Sequence, residues 1–207
     1  MTLQTKSTQR KRALQLLSKQ GMARLSELIR AGATAATVSR LTADGSILRL
    51  SRGLYQLPEA LTDTNHSLAE AAKLVPRGVV CLVSALAFHE LTDRIPSTVW
   101  MAIGSKDWRP RVTQPPIHFV RFSPHALQRG VERPVIEGVT VTITDPAHTI
   151  IDLFRYRHTV GQSTAIGGLK EILRQRRATP ADIARLALQA RVWSIVEPYL
   201  DALTAGG

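Results

Sequence analysis

The sequence predicts an α+β protein in which a basic N-terminal module of three helices and a strand pair precedes a larger mixed α/β domain that ends in helices. Three observations support this prediction. Positive charge is concentrated in the first 58 residues, the apolar period changes from helical to strand-like after Gly45, and strand-like stretches precede a helical tail in the rest of the chain. The 207 residues and the 44% hydrophobic content are enough for two domains with buried cores.

The net charge of +11 is distributed unevenly along the chain. Residues 1–58 hold ten Lys and Arg against two acidic residues, whereas residues 59–207 hold 17 against 14. A compact basic module joined to a nearly neutral one is typical of proteins that bind polyanions. A solvated basic face without a partner is the alternative, and charge alone does not identify the polyanion because phosphate attraction is largely independent of sequence.

Three helices are expected before residue 46. Residues 8–20 and 23–31 each repeat apolar side chains at helical spacing, and each stretch is followed by a glycine. The third helix is expected over residues 33–45, with Thr34 as its N-cap. Val38 and Leu41 face inward, so the outward face is small and polar and carries Arg40. Such a face can approach a groove closely and still reach a base edge or a phosphate.

A basic hairpin is expected after the third helix, because two short strand-like runs flank Ser51-Arg52-Gly53. Two helices, a glycine turn, a small-faced helix and a basic hairpin are the parts of a winged helix-turn-helix. A winged helix used for protein docking is the alternative. The candidate DNA-binding residues are Thr34, Thr37, Ser39 and Arg40 for the major groove, Arg49, Ser51 and Arg52 for the wing, and Arg10, Lys11 and Arg12 for phosphates.

The run VSRLTADGSILRLSRGLYQLP, residues 38–58, resembles the N-terminal domain of the AbiEi antitoxins of type IV toxin–antitoxin systems. The order of helix, glycine and wing and the ending RGLY-x-L-P carry the resemblance. A looser similarity continues through SALAFHEL (84–91) and DPAHTIIDLFRYR (145–157). The resemblance implies a winged-helix repressor of its own operon, with inverted-repeat operators and a role in phage defence. It also implies a C-terminal domain that is needed to neutralise a nucleotidyltransferase-like AbiEii toxin.

A polar connector after Pro58 predicts a DNA-binding domain over residues 1–60 and an α+β antitoxin-like domain over residues 61–207. The second domain is expected to begin with a helix that has a capping box at Ser67 and Glu70, followed by an ambiguous strand or helix at 79–83 and a helix at 84–91. Strands are expected at 98–103, 117–122 and 135–143, the last with a turn or bulge at Gly138, and a short helical segment is expected from Ser123. One helix is expected to begin after Asp145, and three more are expected to span 164–177, 180–191 and 193–204.

The long polar loop at residues 104–116 contains Trp108, Arg109 and Arg111. Long loops are often functional, and Trp and Arg are enriched at binding hot spots. The three residues are therefore candidates for contact with a toxin partner or with nucleic acid. A Trp that packs over the domain, with the arginines in solvent, is the alternative.

No enzyme, metal or cofactor is expected. The histidines lack metal-ligand spacing, and no nucleophile elbow or phosphate-binding loop is present. Asp145, His148 and Asp152 fall on one helical face, but Asp145 is explained as a helix cap and the other two as a surface pair. The single cysteine, Cys81, lies in an apolar run and is expected to be a buried small hydrophobe, as His89 is expected to be a structural histidine.

The longest uncharged apolar stretch, residues 78–88, is too short to span a bilayer, so a cytoplasmic protein without membrane contact is expected. The expected partners are double-stranded DNA and an AbiEii-like toxin. Two alternatives remain open at this point: a stand-alone winged-helix transcription factor without a toxin, and a DNA-targeted enzyme. A DNA-acting enzyme would depend on a divalent metal, and the sequence offers no cluster of ligands for one.

Overall fold

The computed structural model describes residues 2–60 and 63–205, with side chains from residue 8 onward. It is a mixed α+β structure with N-terminal helices and a mixed sheet. The elements, in chain order, are α1 (Thr2–Gln20), β1 (Met22–Arg24), α2 (Leu25–Arg30), α3 (Ala35–Ala43), β2 (Leu48–Ser51), β3 (Leu54–Gln56), α4 (His66–Leu74), β4 (Val79–Val80), α5 (Leu82–Phe88), β5 (Val99–Gly104), β6 (Ile117–Phe122), β7 (Val131–Glu132), β8 (Val135–Ile136), β9 (Val139–Thr140), β10 (Ile143–Thr144), α6 (Pro146–Arg155), α7 (Arg157–Val160), α8 (Gln162–Arg174), α9 (Pro180–Gln189) and α10 (Trp193–Thr204).

The chain divides into two compact units. The first contains Met1–Arg77, Pro110–Ile117 and Pro134–Val141, and the second contains the remaining segments. The first unit extends past residue 60 because α4 packs against β1 and against the β8–β9 hairpin. The domain boundary at residue 60 stays a prediction. The two compact units described here are defined by the contacts within each of them.

The first unit packs α1, α2 and α3 around one core and adds a three-stranded antiparallel sheet in the order β1-β3-β2. Leu17, Leu28, Val38, Leu41 and Ile47 are buried in this core, which confirms Val38 and Leu41 as the inward pair of α3. The second helix begins later than expected, because Met22–Arg24 pairs with β3 as a strand instead.

The second unit is built on a five-stranded sheet in the order β6-β5-β4-β10-β7. The pair β4–β10 is parallel, and the pairs β4–β5 and β7–β10 are antiparallel. Helices α5, α6, α8, α9 and α10 supply the apolar core, in which Phe154 is fully buried. The expected strands at 98–103 and 117–122 and the expected final helix are confirmed to within one residue.

Several local predictions are wrong. Helix α4 starts at His66 after Asn65, and within the described chain no side chain caps it there, so the capping box at Ser67 and Glu70 is not formed. The expected turn at Gly138 is confirmed, with positive φ at Glu137 and Gly138, but residues 135–143 do not continue as one strand around it: β8 and β9 form a hairpin and β10 is separate. The segment after Ser123 is a turn and not the expected helical segment. The run 79–83, left open between strand and helix, contains both: Val79–Val80 is a strand, and α5 begins at Leu82.

Candidate nucleic-acid interface

Helix α3 presents a short polar surface at its N-terminal end. Thr34 is its N-cap, as expected, and the Thr34 hydroxyl accepts a hydrogen bond from the Thr37 amide at 3.2 Å. Ala36, Ser39 and Arg40 are exposed. Because the exposed side chains beside Arg40 are small, the helix backbone can come close to another surface without a steric barrier.

A residue that sequence reasoning missed, Gln9 of α1, supports this end of α3. Its Oε1 accepts hydrogen bonds from the hydroxyls of Thr37 at 2.7 Å and Thr34 at 3.3 Å. Thr37 is only 5% exposed, so its hydroxyl is turned toward Gln9 and away from solvent. The signal was present in the sequence, since Gln9 precedes the buried Ala13 and Leu17 by four and eight residues and therefore shares their face of α1.

The guanidinium of Arg40 lies along its own helix. Its Nε donates to the Ala36 carbonyl at 3.2 Å, and its Nη2 donates to the Thr37 hydroxyl at 3.3 Å. Thr37 thus connects Gln9 to Arg40 and limits where the guanidinium can go. Both contacts are at the long end of the hydrogen-bond range, so an external acceptor can replace them at little cost.

Arg10, a predicted phosphate contact, is engaged within the protein. Its Nη1 lies 2.8 Å from Asp44 Oδ2, and its Nη2 donates to the Ser46 hydroxyl at 2.7 Å. Hydrogen bonds from Ser46 and Arg10 lower the pKa of Asp44 to about 2, so the carboxylate keeps its charge through the physiological range. Arg10 therefore joins α1 to the end of α3, and its contact with a phosphate would require this pair to open.

Neutralising Asp44 is expected to strengthen DNA binding. The Asp44→Asn variant keeps an oxygen that can accept from the Ser46 amide, as Asp44 Oδ1 does at 3.0 Å, but removes the charge that holds Arg10. With one more cation available, affinity for any duplex should rise several-fold at low salt, and the slope of log K against log salt should steepen by about one. Anisotropy titrations at several salt concentrations measure both. An unchanged slope would show that Arg10 stays away from the phosphates.

The two remaining N-terminal candidates differ in their surroundings. Lys11 is exposed on α1. Arg12 is exposed as well and lies over the turn between α2 and α3, where a Cβ built on Gly32 would come within 2.8 Å of its guanidinium nitrogen. The φ of +96° at Gly32 favours glycine there whatever Arg12 does, because the Arg12 guanidinium ends a flexible side chain that can move aside. Lys11 and Arg12 stay predictions as phosphate contacts.

The β2–β3 hairpin is attached to α2 by its tip. The Leu25 amide donates to the Gly53 carbonyl at 2.8 Å, so the tip is held at the start of α2. Arg52 is exposed in the turn, and Arg49 is exposed on β2 with its Nε 3.4 Å from the Ser51 carbonyl. The Ser51 hydroxyl is buried and has no hydrogen-bond partner among the described residues. Arg49 and Arg52 are therefore presented to solvent, whereas the Ser51 hydroxyl is not.

The loop after β5 places Trp108 in solvent at 80% exposure, and Arg109 and Arg111 are exposed as well. The guanidinium carbon of Arg109 lies 5.4 Å from the centre of the Phe119 ring, at cation–π distance. Trp108 therefore does not pack over its domain, which was the alternative. Trp108 and Arg109 belong to the second unit and Arg111 to the first.

The acid–histidine set on α6 is arranged differently from the expected surface pair. Asp145 caps α6 and its Oδ2 lies 2.9 Å from His148 Nδ1, so His148 pairs with Asp145 and not with Asp152. Burial raises the pKa of Asp152 to about 7, with Arg155 and His148 opposing the increase. The pairing with Asp152 is therefore wrong, because that carboxyl lies in a desolvated position.

Asp152 should make stability fall as pH rises. Below its ordinary pKa of 3.8 the group is protonated whether the chain is folded or unfolded; between 3.8 and about 7 only the folded chain keeps the proton. The free energy of unfolding should thus decrease through this window, by roughly 1–2 kcal/mol after relaxation and water entry reduce the full cost. Urea titrations from pH 4 to 8 should show a flatter profile for Asp152→Asn than for the exposed control Asp201→Asn. Parallel profiles would rule the idea out.

The remaining titratable candidates fit structural roles. Cys81 is fully buried, as expected, and burial raises the pKa of its thiol well above the ordinary value. His89 is 3% exposed, and its Nε2 lies 2.7 Å from the Thr144 carbonyl. Within the described residues, no group of three or more His, Cys, Asp or Glu is placed to hold a metal ion. Whether the chain is an enzyme stays a prediction.

Comparison with known proteins bears on the first unit most directly. Residues 11–58 match the family of AbiEi antitoxins, described as transcriptional regulators. The resemblance expected from residues 38–58 is thereby confirmed, and it extends through α2 into α1. We refer to residues 11–58 as the AbiEi-like segment. It contains α3, the β2–β3 hairpin and all the N-terminal candidate residues except Arg10.

The fold of the whole chain is similar to the crystal structure of the RV2827C protein from Mycobacterium tuberculosis. The match covers 95% of this chain and 78% of that one, with a TM-score of 0.65 and 13% sequence identity, and so shows similarity of fold alone. No curated protein matches the chain significantly in sequence. Among the described helices, none is long and apolar enough to cross a membrane.

Proposed function

We propose that this protein is a sequence-specific DNA-binding transcriptional regulator that represses its own promoter and acts as the antitoxin of a type IV toxin–antitoxin pair. One observation carries the DNA-binding part: α3, inside the AbiEi-like segment, exposes a small face with a single arginine, Arg40, whose guanidinium is pre-positioned from behind by Thr37 and Gln9. A regulator family for the same segment supports the assignment.

In this proposal α3 enters the major groove, and the β2–β3 hairpin serves as the wing. A helix fits that groove, and its N-terminal part is the part that reaches base edges. Arg40 lies in the last turn of α3, but its guanidinium extends back to Ala36 and Thr37 in the first turn. Ser39 and Arg40 contact bases, with Thr34 at the helix start. Arg52 on the hairpin contacts the backbone or the minor groove, and Lys11 and Arg12 contact phosphates. Thr37 positions Arg40 and does not itself reach DNA.

The antitoxin part of the proposal is supported by the family of the AbiEi-like segment. In it, the second unit counteracts a nucleotidyltransferase-like toxin and performs no catalysis of its own. The closest competing proposal is a stand-alone transcription factor. The neighbouring gene distinguishes the two, because only an antitoxin requires a toxin reading frame beside its own.

DNA binding is tested with fluorescein-labelled DNA from upstream of the gene, by anisotropy at two salt concentrations. Tight binding that survives an excess of scrambled duplex supports a sequence-specific regulator. Binding that scrambled duplex removes equally well would overturn it and leave only a basic module, since non-specific phosphate attraction accounts for such binding.

Antitoxin activity is tested separately by co-expressing the chain with the neighbouring reading frame and following growth. Wild type should restore growth if that frame encodes the toxin. Arg40→Ala, expressed from a foreign promoter, should restore growth equally well, because neutralisation is assigned to the second unit. No rescue by either chain would refute the antitoxin part while leaving the regulator part intact.

A further inference from the structure

We infer that the turn after β5, residues 104–109 of the second unit, is a binding point for unpaired nucleic acid, on which one base stacks against Trp108. This goes beyond the proposed duplex binding by α3 and does not depend on it, because the residues belong to the second unit. Unpaired DNA and unpaired RNA share the chemistry, namely an exposed base face next to a phosphate.

The turn is held in one conformation by its own contacts. Arg121 Nη1 on the neighbouring strand β6 donates to the carbonyls of Gly104 and Asp107, both at 2.6 Å. The Asp107 carboxylate accepts from the Gly104 amide at 3.1 Å. These hydrogen bonds are made by backbone groups of the turn and by the Asp107 carboxylate, and the Trp108 side chain stays in solvent. Little backbone entropy is therefore lost when a ligand contacts the indole.

The chemistry around Trp108 favours nucleic acid over a protein partner. The indole is 80% exposed, and two exposed cations lie nearby in the sequence, Arg109 directly after it and Lys106 two residues before it. The carboxylate of the intervening Asp107 accepts from the Gly104 amide, as described above. A protein-binding anchor is ordinarily surrounded by further apolar side chains that exclude water. In the described part of the turn, Trp108 is the only large exposed apolar side chain. An exposed aromatic ring flanked by cations is the arrangement that binds bases and phosphates together.

A second flat surface adjoins the first. The Arg109 guanidinium lies over the Phe119 ring, and a planar cation on an aromatic ring can itself accept a stacked base or pair with a phosphate. Duplex DNA does not offer its base faces, because they are stacked on one another. The turn should therefore select single strands, loops or ends.

The test uses the full-length protein and a labelled oligo(dT) of about 12 nucleotides, with an oligo(rU) of the same length in parallel. We expect Trp108→Ala to weaken binding of the single strand about tenfold or more, since stacking is lost. Trp108→Phe should retain most of the affinity. The matched control is Ile95→Ala, which removes another highly exposed apolar side chain, 88% exposed, from the same unit.

Binding to upstream duplex is measured on the same variants. Trp108→Ala should leave it unchanged, whereas Arg40→Ala should reduce it, so that failure of either proposal is visible without the other. The inference is overturned if wild type does not bind either single strand, or if Trp108→Ala and Ile95→Ala bind them equally. A preference for oligo(dT) or oligo(rU) that depends on Trp108 supports the site and identifies which single strand it prefers.

Discussion

Replacing Arg40 with alanine should reduce affinity for the upstream DNA by about 10- to 100-fold and relax specificity at one base pair. An arginine that donates two hydrogen bonds to the major-groove edge of guanine contributes about 1–3 kcal/mol of discrimination. In the structure the guanidinium is hydrogen-bonded to the Ala36 carbonyl and the Thr37 hydroxyl at 3.2 and 3.3 Å, on the exposed side of α3. Anisotropy with the upstream duplex, and with duplexes changed at single positions, measures both effects.

Two further variants separate base recognition from charge. Arg40→Lys keeps the charge but loses the planar fork, so it should be nearly as defective as alanine if Arg40 reads a base. Arg52→Ala should weaken binding uniformly across sequences and reduce the salt slope by about one, as expected for a phosphate contact. If Arg40→Lys bound like wild type, Arg40 would be a phosphate contact too, and α3 would not be the helix that reads sequence.

Much of the candidate interface could be predicted from the sequence, because its signals are local. The helical period of residues 33–45, the Thr34 cap and the glycine-containing turn at Gly53 each involve neighbours along the chain, and the structure places a helix and a hairpin there. Local signals of this kind do not depend on the rest of the fold.

What the sequence did not reveal are contacts between residues far apart in the chain. Arg10, a predicted phosphate contact, pairs with Asp44, 34 positions away. The sequence places Gln9 on the inner face of α1, but it does not show that the partner of Gln9 is Thr37, 28 positions away. Residues 134–141 join the first unit although segments of the second unit lie on both sides of them in the sequence. A hydrophobic period of two or 3.6 residues carries no information on such partners. The sequence therefore indicated a turn at Gly138 but not which part of the chain that turn contacts.

The contact between this turn and the end of α1 leads to the prediction with the largest expected effect on stability, which concerns Gly21. The residue follows α1 with a φ of +67°, and a Cβ built on it would lie 1.8 Å from the Glu137 carbonyl oxygen in the β8–β9 turn. Gly138, in the same turn, would bring its own Cβ within 2.8 Å of the Gln20 carbonyl carbon. The two backbones thus meet where neither can carry a side chain.

Gly45→Ala provides the matched control. Gly45 has a φ of +73°, similar to that of Gly21, but among the described residues no atom other than those of Gly45 and its two chain neighbours lies within 4 Å of its Cβ position. Gly45→Ala should therefore cost only the left-handed backbone penalty, about 1 kcal/mol. Gly21→Ala pays the same penalty and must also displace a backbone carbonyl, for which about 3–5 kcal/mol in total is expected.

For a chain of this length, the difference corresponds to a Tm lower by about 10 °C in Gly21→Ala than in Gly45→Ala. Thermal and urea unfolding followed by circular dichroism compare the two variants directly. Because the β8–β9 hairpin lies in the first unit together with α1 and α3, Gly21→Ala should also lose DNA binding at temperatures where Gly45→Ala keeps it. An equal decrease of Tm in the two variants would mean that the β8–β9 turn does not limit the space at Gly21, and that residues 134–141 are not needed to stabilise the first unit.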